Sequence, residues 1–249
     1  ADVVRVPHAD LPSLRAALAK PWDGGGQRFV VGEGLFSMDG DRGPVQGWAA
    51  AAQDRGAHLL VDEAHAVGVL GPRGRGACAE AGVEGAPLAR VGTFGKAFGA
   101  HGAFVATDPD TRALLVNAGR AYVFSTALAP AAVGAARAAL AIVASDEGDE
   151  RRQRLRARAQ QFADGARSLG LDLGGPDAAG PTPIVPIVFG APAHALAVAD
   201  RLLDAGIYAR AIRPPTVPVG TSRIRFTLSA DHTVADVEAA LLALAAATG

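Results

Sequence analysis

The chain has 249 residues, 49% of them apolar, and a formal charge of −1. That is enough apolar sequence for a sizeable core, in one large domain or two small ones. It excludes a disordered chain and a strongly basic surface for nucleic acid. Cys78 is the single cysteine, so no internal disulfide can form, which fits a reducing compartment.

The first residues lack the basic-then-apolar pattern of a signal peptide. The apolar runs at 127–144 and 234–247 are interrupted by Arg137 and Glu238 and are too short to span a bilayer. A soluble cytoplasmic protein is expected.

In chain order, Asp10 is placed to cap a helix with Pro12 in its first turn and Leu11, Leu14, Ala17 and Leu18 on one face. Gly24, Gly25 and Gly26 end it. Residues 28–31 read as a buried strand running into a polar loop, 33–41. Pro44 opens a helix that Gly56 stops. Residues 58–61 form the next strand, ending in Asp62-Glu63-Ala64-His65, and a glycine-rich loop follows over 68–76. A third short strand, 88–92, delivers Thr93 and Lys96. A fourth is expected at 102–106 and a fifth at 121–125. A helix over 127–143 leads to a capped start at 145–150 and an arginine-rich helix with a solvated face over 151–169.

A domain boundary is expected near 145, giving units 1–145 and 146–249. The second reads strand (184–188), helix (192–205), strand (207–212), proline turn, strand (223–228), helix (233–247). Thr233 with Asp236 has the pattern of a capping box. The fold class is α/β: a mostly parallel sheet followed by a small α+β domain.

Chemistry gathers at the carboxyl ends of parallel strands. Ser37, Asp62, His65, Thr93 and Lys96 all come from such ends. Lys96 is one of two lysines against twenty-two arginines, and it lies in V-G-T-F-G-K-A-F-G-A-H-G. A partly desolvated lysine can act as nucleophile or base, whereas arginine stays protonated. A surface lysine in a loop is the plain alternative, and it suits Lys20.

Asp62-Glu63-Ala64-His65 after a strand also fits a helicase-type ATPase. That reading needs a phosphate loop of the form G-x-x-x-x-G-K-[ST]. Arg90 stands where its first glycine belongs and Ala97 replaces its hydroxyl, so the ATPase reading is weak. A lysine and a carboxylate on successive strand ends suit pyridoxal phosphate better. That cofactor needs an amine for its aldehyde and a carboxylate beside its pyridine nitrogen. The alternative for Asp62 is a helix cap, and for His65 a structural histidine. No metal site is expected.

E-G-L-F-S-M-D-G-D, V-D-E-A-H-A-V-G-V-L-G-P-R-G-R-G, T-F-G-K-A-F-G and Y-V-F-S-T-A-L-A-P together resemble the α-oxoamine synthases, a fold-type-I pyridoxal phosphate family. The similarity runs from about Val6 to the C-terminus. It implies a fold-type-I transferase in which residues 1–145 are the C-terminal part of a cofactor-binding large domain. A further domain's worth of chain is expected before residue 1.

By the same resemblance Lys96 is the Schiff-base lysine and Asp62 the partner of the pyridine nitrogen. His65 and Ser37 meet the ring oxygen, and Thr93 the phosphate. Ser125 and Thr126 lie where a neighbouring subunit approaches the phosphate. Arg213 binds the amino acid carboxylate, a task suited to a fixed charged fork, and Thr216 contacts substrate. A salt bridge pinning the proline turn is the alternative for Arg213.

S-D-E-G-D-E-R-R and A-I-R-P-P-T-V-P-V-G-T-S-R-I-R-F-T-L-S-A most resemble the branch of that family that serves biotin biosynthesis. Its members join L-alanine to a pimeloyl thioester, carried on coenzyme A (pimeloyl-CoA) or on acyl carrier protein (pimeloyl-acyl carrier protein). A homodimer is expected, with no nucleic acid or membrane partner. The alternatives are another family member such as glycine C-acetyltransferase, or a catalytically silent relative.

Overall fold

The structure, a computed structural model, describes residues 1–22, 25–174 and 182–249. The chain divides into two compact units: Ala1–Leu35 with Arg42–Gly148, and Phe36–Asp41 with Asp149–Gly249.

The first unit begins with α1 (Leu11–Ala19), where Asp10 accepts the backbone N–H of Ser13 and Pro12 occupies the first turn. Of the glycines expected to end this helix, Gly24 lies outside the described residues; the helix closes at Ala19. A four-stranded sheet follows in the order β1-β2-β3-β4. Its strands are β1 (Phe29–Glu33), β2 (His58–Asp62), β3 (Ala89–Thr93) and β4 (Ala103–Thr107). The first three are mutually parallel and β4 is antiparallel to β3. Residues 94–102 are too few for a crossover, which takes a dozen or more, so the chain must turn back on itself there.

Side chains alternate along each strand. Val30, Leu59 and Val61 are buried on the side of α2 (Val45–Gln53), whose Trp48 lies against Gly32 so closely that a Cβ there would stand 2.6 Å from its ring. Asp62 lies on the alternate side, in register with Val91 and on the same face as the exposed Phe29 and Val31.

The rest of the first unit is helical: α3 (Ala77–Glu80), α4 (Pro109–Ala118), α5 (Arg120–Val123) and α6 (Pro130–Val143). The strand expected at 121–125 is therefore a helical turn instead. Tyr122 and Val123 both donate their N–H to the Gly119 carbonyl at 2.9 Å, and Phe124 donates to Arg120 at 3.0 Å. A strand must find its hydrogen bonds on a neighbour; these residues find theirs locally.

The second unit carries most of α7 (Asp146–Ser168), then β5 (Ile184–Gly190), α8 (Pro192–Asp204), β6 (Arg210–Ile212), β7 (Ser222–Thr227) and α9 (Val234–Thr248). The strands form an antiparallel sheet in the order β5-β7-β6. Ala159, Phe162, Ala163 and Ala166 recur at helical spacing and pack into one core with Val185, Ile187, Val198, Leu202, Ile224 and Leu244. The capping box of α9 forms: Thr233 accepts the N–H of Asp236, and the Asp236 carboxylate accepts the Thr233 N–H and hydroxyl.

Residues 36–41 belong to this unit for a chemical reason. Arg225 donates to the Ser37 carbonyl at 2.9 Å, Arg223 pairs with Asp39, and the Thr182 hydroxyl donates to the Gly40 carbonyl at 2.9 Å. No helix of the described residues is long and apolar enough to cross a membrane.

Candidate active site

Two loops leave the carboxyl edge of the parallel strands and meet. The first follows β2. Asp62 ends the strand and is exposed; its Oδ1 accepts the Ala64 N–H at 2.8 Å, and Oδ2 has no hydrogen bond among the described residues. His65 follows, half-buried, in a turn closed by the Ala66 and Val67 N–H groups on the Glu63 carbonyl, each at 2.8 Å.

The second loop, 94–102, joins β3 to β4 and carries Lys96, which is exposed. Its base is tied twice to the Gly102 carbonyl, by the Phe94 N–H at 2.9 Å and the Thr93 hydroxyl at 3.1 Å. Within it Ala100 donates to Phe94 at 2.7 Å and Gly99 to the Lys96 carbonyl at 2.9 Å. Phe94 meets Phe98 edge-to-face and Phe104 at a tilt, at centroid distances of 5.5 and 5.2 Å. Two aromatic contacts and this set of hydrogen bonds hold the loop that carries Lys96 to one shape.

The loops touch at Gly68. A Cβ there would lie 2.7 Å from Ala97 Cβ, and its φ is +80°. Residue 68 thus fixes how near the His65 loop comes to the residue beside Lys96. Asp62 and Thr93 therefore end adjacent strands at one edge of one sheet, and His65 and Lys96 lie in the loops that leave that edge.

Thr93, expected at a phosphate, spends its hydroxyl proton on Gly102 and accepts the Gly95 N–H at 3.2 Å. Donating to a phosphate would require that proton to leave Gly102. Ser125 and Thr126 are exposed, just ahead of Leu128, which packs against the base of the lysine loop: a Cβ at Gly102 would meet Leu128 Cδ1 at 2.6 Å. Ser37 lies half-buried in the second unit, in the segment its arginines hold. Arg213 and Thr216 are exposed there, in the turn after β6, where Thr216 donates its N–H to the Arg213 carbonyl at 3.1 Å.

Sequence reasoning gave Glu63 and Cys78 no role. Glu63 is 1% exposed and its carboxylate accepts the N–H of Ala77 at 2.7 Å and of Cys78 at 2.8 Å. Burial, and then the neighbouring Glu63 carboxylate, push the Cys78 thiol up, so it stays protonated. The one signal available in the sequence was a second acidic residue directly after Asp62, which strand alternation turns to the opposite, buried side.

This edge of the sheet offers an amine, a carboxylate and an imidazole, groups that suit a carbonyl cofactor with a basic ring. A two-unit fold with a parallel sheet and a lysine-bearing loop between strands defines the class, and the comparisons agree. Residues 1–244 match the family described as Aminotransferase class I and II, and the chain belongs to it.

Curated relatives make the likeness narrower. The chain is 43% identical over 245 residues to the 8-amino-7-oxononanoate synthase of Geobacter sulfurreducens, covering 98% of this chain and 61% of that one. It is 47% identical over 237 residues to the synthase of the same name from Klebsiella pneumoniae, covering 95% and 60%. Among solved structures, Sphingomonas wittichii serine palmitoyltransferase matches with a TM-score of 0.90 at 33% identity, over 96% of this chain and 59% of that one. The crystal structure of 8-amino-7-oxononanoate synthase from Francisella tularensis matches with a TM-score of 0.80 at 28% identity, over 96% and 66%. The chain spans about three fifths of the length of the curated relatives it matches.

Proposed function

We propose that the chain works in a pyridoxal phosphate-dependent condensation of L-alanine with a pimeloyl thioester, giving 8-amino-7-oxononanoate, carbon dioxide and a free thiol. The observation that carries this is that Asp62 ends β2 while Lys96 lies in the loop leaving the neighbouring strand β3, in a chain 41–48% identical to synthases of that name. The cofactor, when bound, supplies an aldehyde for an amino group and a ring that accepts electrons.

Lys96 Nζ would hold that aldehyde, and as a free amine it would take the α-proton of alanine. Asp62 would keep a proton on the ring nitrogen. His65 and Ser37 would hold the ring oxygen, and Thr93 would offer its hydroxyl to the phosphate. Arg213 grips the alanine carboxylate with a permanently charged fork, and Thr216 contacts substrate beside it. The α-carbon would bond to the thioester carbonyl carbon as a thiolate leaves and takes a proton from water; carbon dioxide would depart next, and Lys96 would return its proton to the same carbon. One amine serves as base and then acid when its proton affinity is matched to the working pH. The protein acts as a cytoplasmic homodimer, with Ser125 and Thr126 close to the partner's cofactor phosphate.

The test is product analysis of the cofactor-loaded protein with alanine or glycine, each with pimeloyl-CoA or acetyl-CoA. Alanine and pimeloyl-CoA should give 8-amino-7-oxononanoate, and the Lys96→Ala variant none. A product from glycine and acetyl-CoA alone would move the chain to another branch, and no product from any pair would make it a silent relative.

A further inference from the structure

Glu63 is tethered through both carboxylate oxygens and its backbone, and nothing in the proposed chemistry uses it. It follows Asp62 in the chain but points to the other side of the sheet, where its carboxylate is cut off from water. A buried carboxylate is stable only when its oxygens are satisfied. Here Oε2 accepts the Ala77 N–H at 2.7 Å and Oε1 the Cys78 N–H at 2.8 Å. Its backbone is equally engaged: the N–H donates to the Val91 carbonyl at 2.7 Å, and the carbonyl accepts from Ala66 and Val67.

The space around the carboxylate is shaped by absent side chains. A Cβ at Gly34 would stand 3.0 Å from Oε2, and one at Gly76 only 2.6 Å from it. Backbone closes over the group on both sides. Glu63 thus joins three pieces: β3, whose end leads to Lys96; the turn that holds His65; and the chain at 77–78.

We infer that Glu63 is a positioning residue: its anchored carboxylate sets Asp62 and His65 against the strand end that leads to Lys96. This rests on the function proposed above. Glutamine at 63 offers one acceptor where two N–H groups need one each, so it leaves a backbone donor facing an amide nitrogen. The turn then relaxes, and the groups meeting the cofactor's ring nitrogen and ring oxygen move with it. Those groups set how readily the bound chromophore takes a proton. A residue that only stabilised the fold would lower the melting temperature and leave that protonation unchanged.

The experiment loads wild type, Glu63→Gln and Gly34→Ala with pyridoxal phosphate and titrates the visible absorbance band with pH. In parallel it measures the rate at which dithiobis(nitrobenzoate) modifies Cys78, which is the only cysteine and fully buried. Glu63→Gln should label about tenfold faster, because one backbone donor has lost its acceptor. Its band midpoint should shift by about half a pH unit or more. Gly34→Ala keeps the Glu63 carboxylate but puts a methyl group 2.7 Å from Ala77 Cβ and 3.0 Å from Oε2, pressing on the carboxylate and its anchor together, so it should shift the midpoint too; it decides the matter if Glu63→Gln does not fold.

A wild-type midpoint in every variant that folds overturns the inference, whatever the labelling rate. An unchanged labelling rate in Glu63→Gln overturns it as well, since the carboxylate would then hold nothing. A wild-type protein with no visible band refutes the proposed function and takes the inference with it; a band that ignores both variants refutes the inference alone.

Discussion

Gly68→Ala probes the contact that brings the two site loops together. Its φ of +80° lies in the left-handed region, where an L side chain costs about 1–2 kcal/mol. The new Cβ would also stand 2.7 Å from Ala97 Cβ, and forcing a methyl group into a packed site costs about 1–3 kcal/mol more. The sum is about 2–5 kcal/mol. Gly56→Ala is the matched control, with φ +57° and nothing within 4 Å of the added atom, so it should carry the backbone cost alone.

Both tryptophans, Trp22 and Trp48, lie in the first unit, and Trp48 is buried against Gly32. Their fluorescence in a urea titration therefore follows that unit without the second. Gly68→Ala should unfold at clearly lower urea than Gly56→Ala. Adding Ala97→Gly to Gly68→Ala should recover the steric part, about 1–3 kcal/mol of coupling in a double-mutant cycle. Equal midpoints for Gly68→Ala and Gly56→Ala, or no recovery on adding Ala97→Gly, would refute the contact.

Two further predictions concern titration. Asp236 is held below the usual carboxylate range by the Thr233 N–H and hydroxyl. A depressed carboxyl stabilises the fold above its ordinary value and loses that contribution as pH falls through its folded value. The gap in thermal stability between wild type and Asp236→Asn, read by circular dichroism, should therefore be present at neutral pH and close in strong acid. A gap that persists in acid would contradict the cap. Cys78 behaves in the opposite sense. Its thiol is pushed up by burial, so the unfolded chain ionises first and stability falls as pH rises past the thiol's ordinary value of 9.0. Cys78→Ala removes that loss, and its urea midpoint should drop less than that of wild type between neutral and alkaline pH; parallel curves would argue against a buried thiol.

Much of the sheet was legible because its signals are local. Asp10, Pro44 and Thr233 mark helix starts through chemistry that acts within a few residues. Apolar runs ending in Asp62 and Thr93 gave the strands and the edge from which they open. The misreading at 121–125 has the same root. Tyr122, Val123 and Phe124 favour strands by type, but β propensity expresses packing on a neighbour, and here Gly119 and Arg120 supply the hydrogen bonds instead.

Other features were hidden because they depend on distant contacts. Nothing near Ser37 announces that Arg223 and Arg225 hold its segment within the second unit. Glu63 was hidden because its partners, the N–H groups of residues 77 and 78, belong to the backbone and leave no mark in side-chain identity.

The claim that carries the account is that the amine at 96 holds the cofactor. Borohydride reduction of the pyridoxal phosphate-loaded protein, followed by peptide mass spectrometry, tests it directly. The account predicts a single phosphopyridoxyl adduct on the peptide containing Lys96. An adduct on Lys20, or none on either lysine, would contradict it.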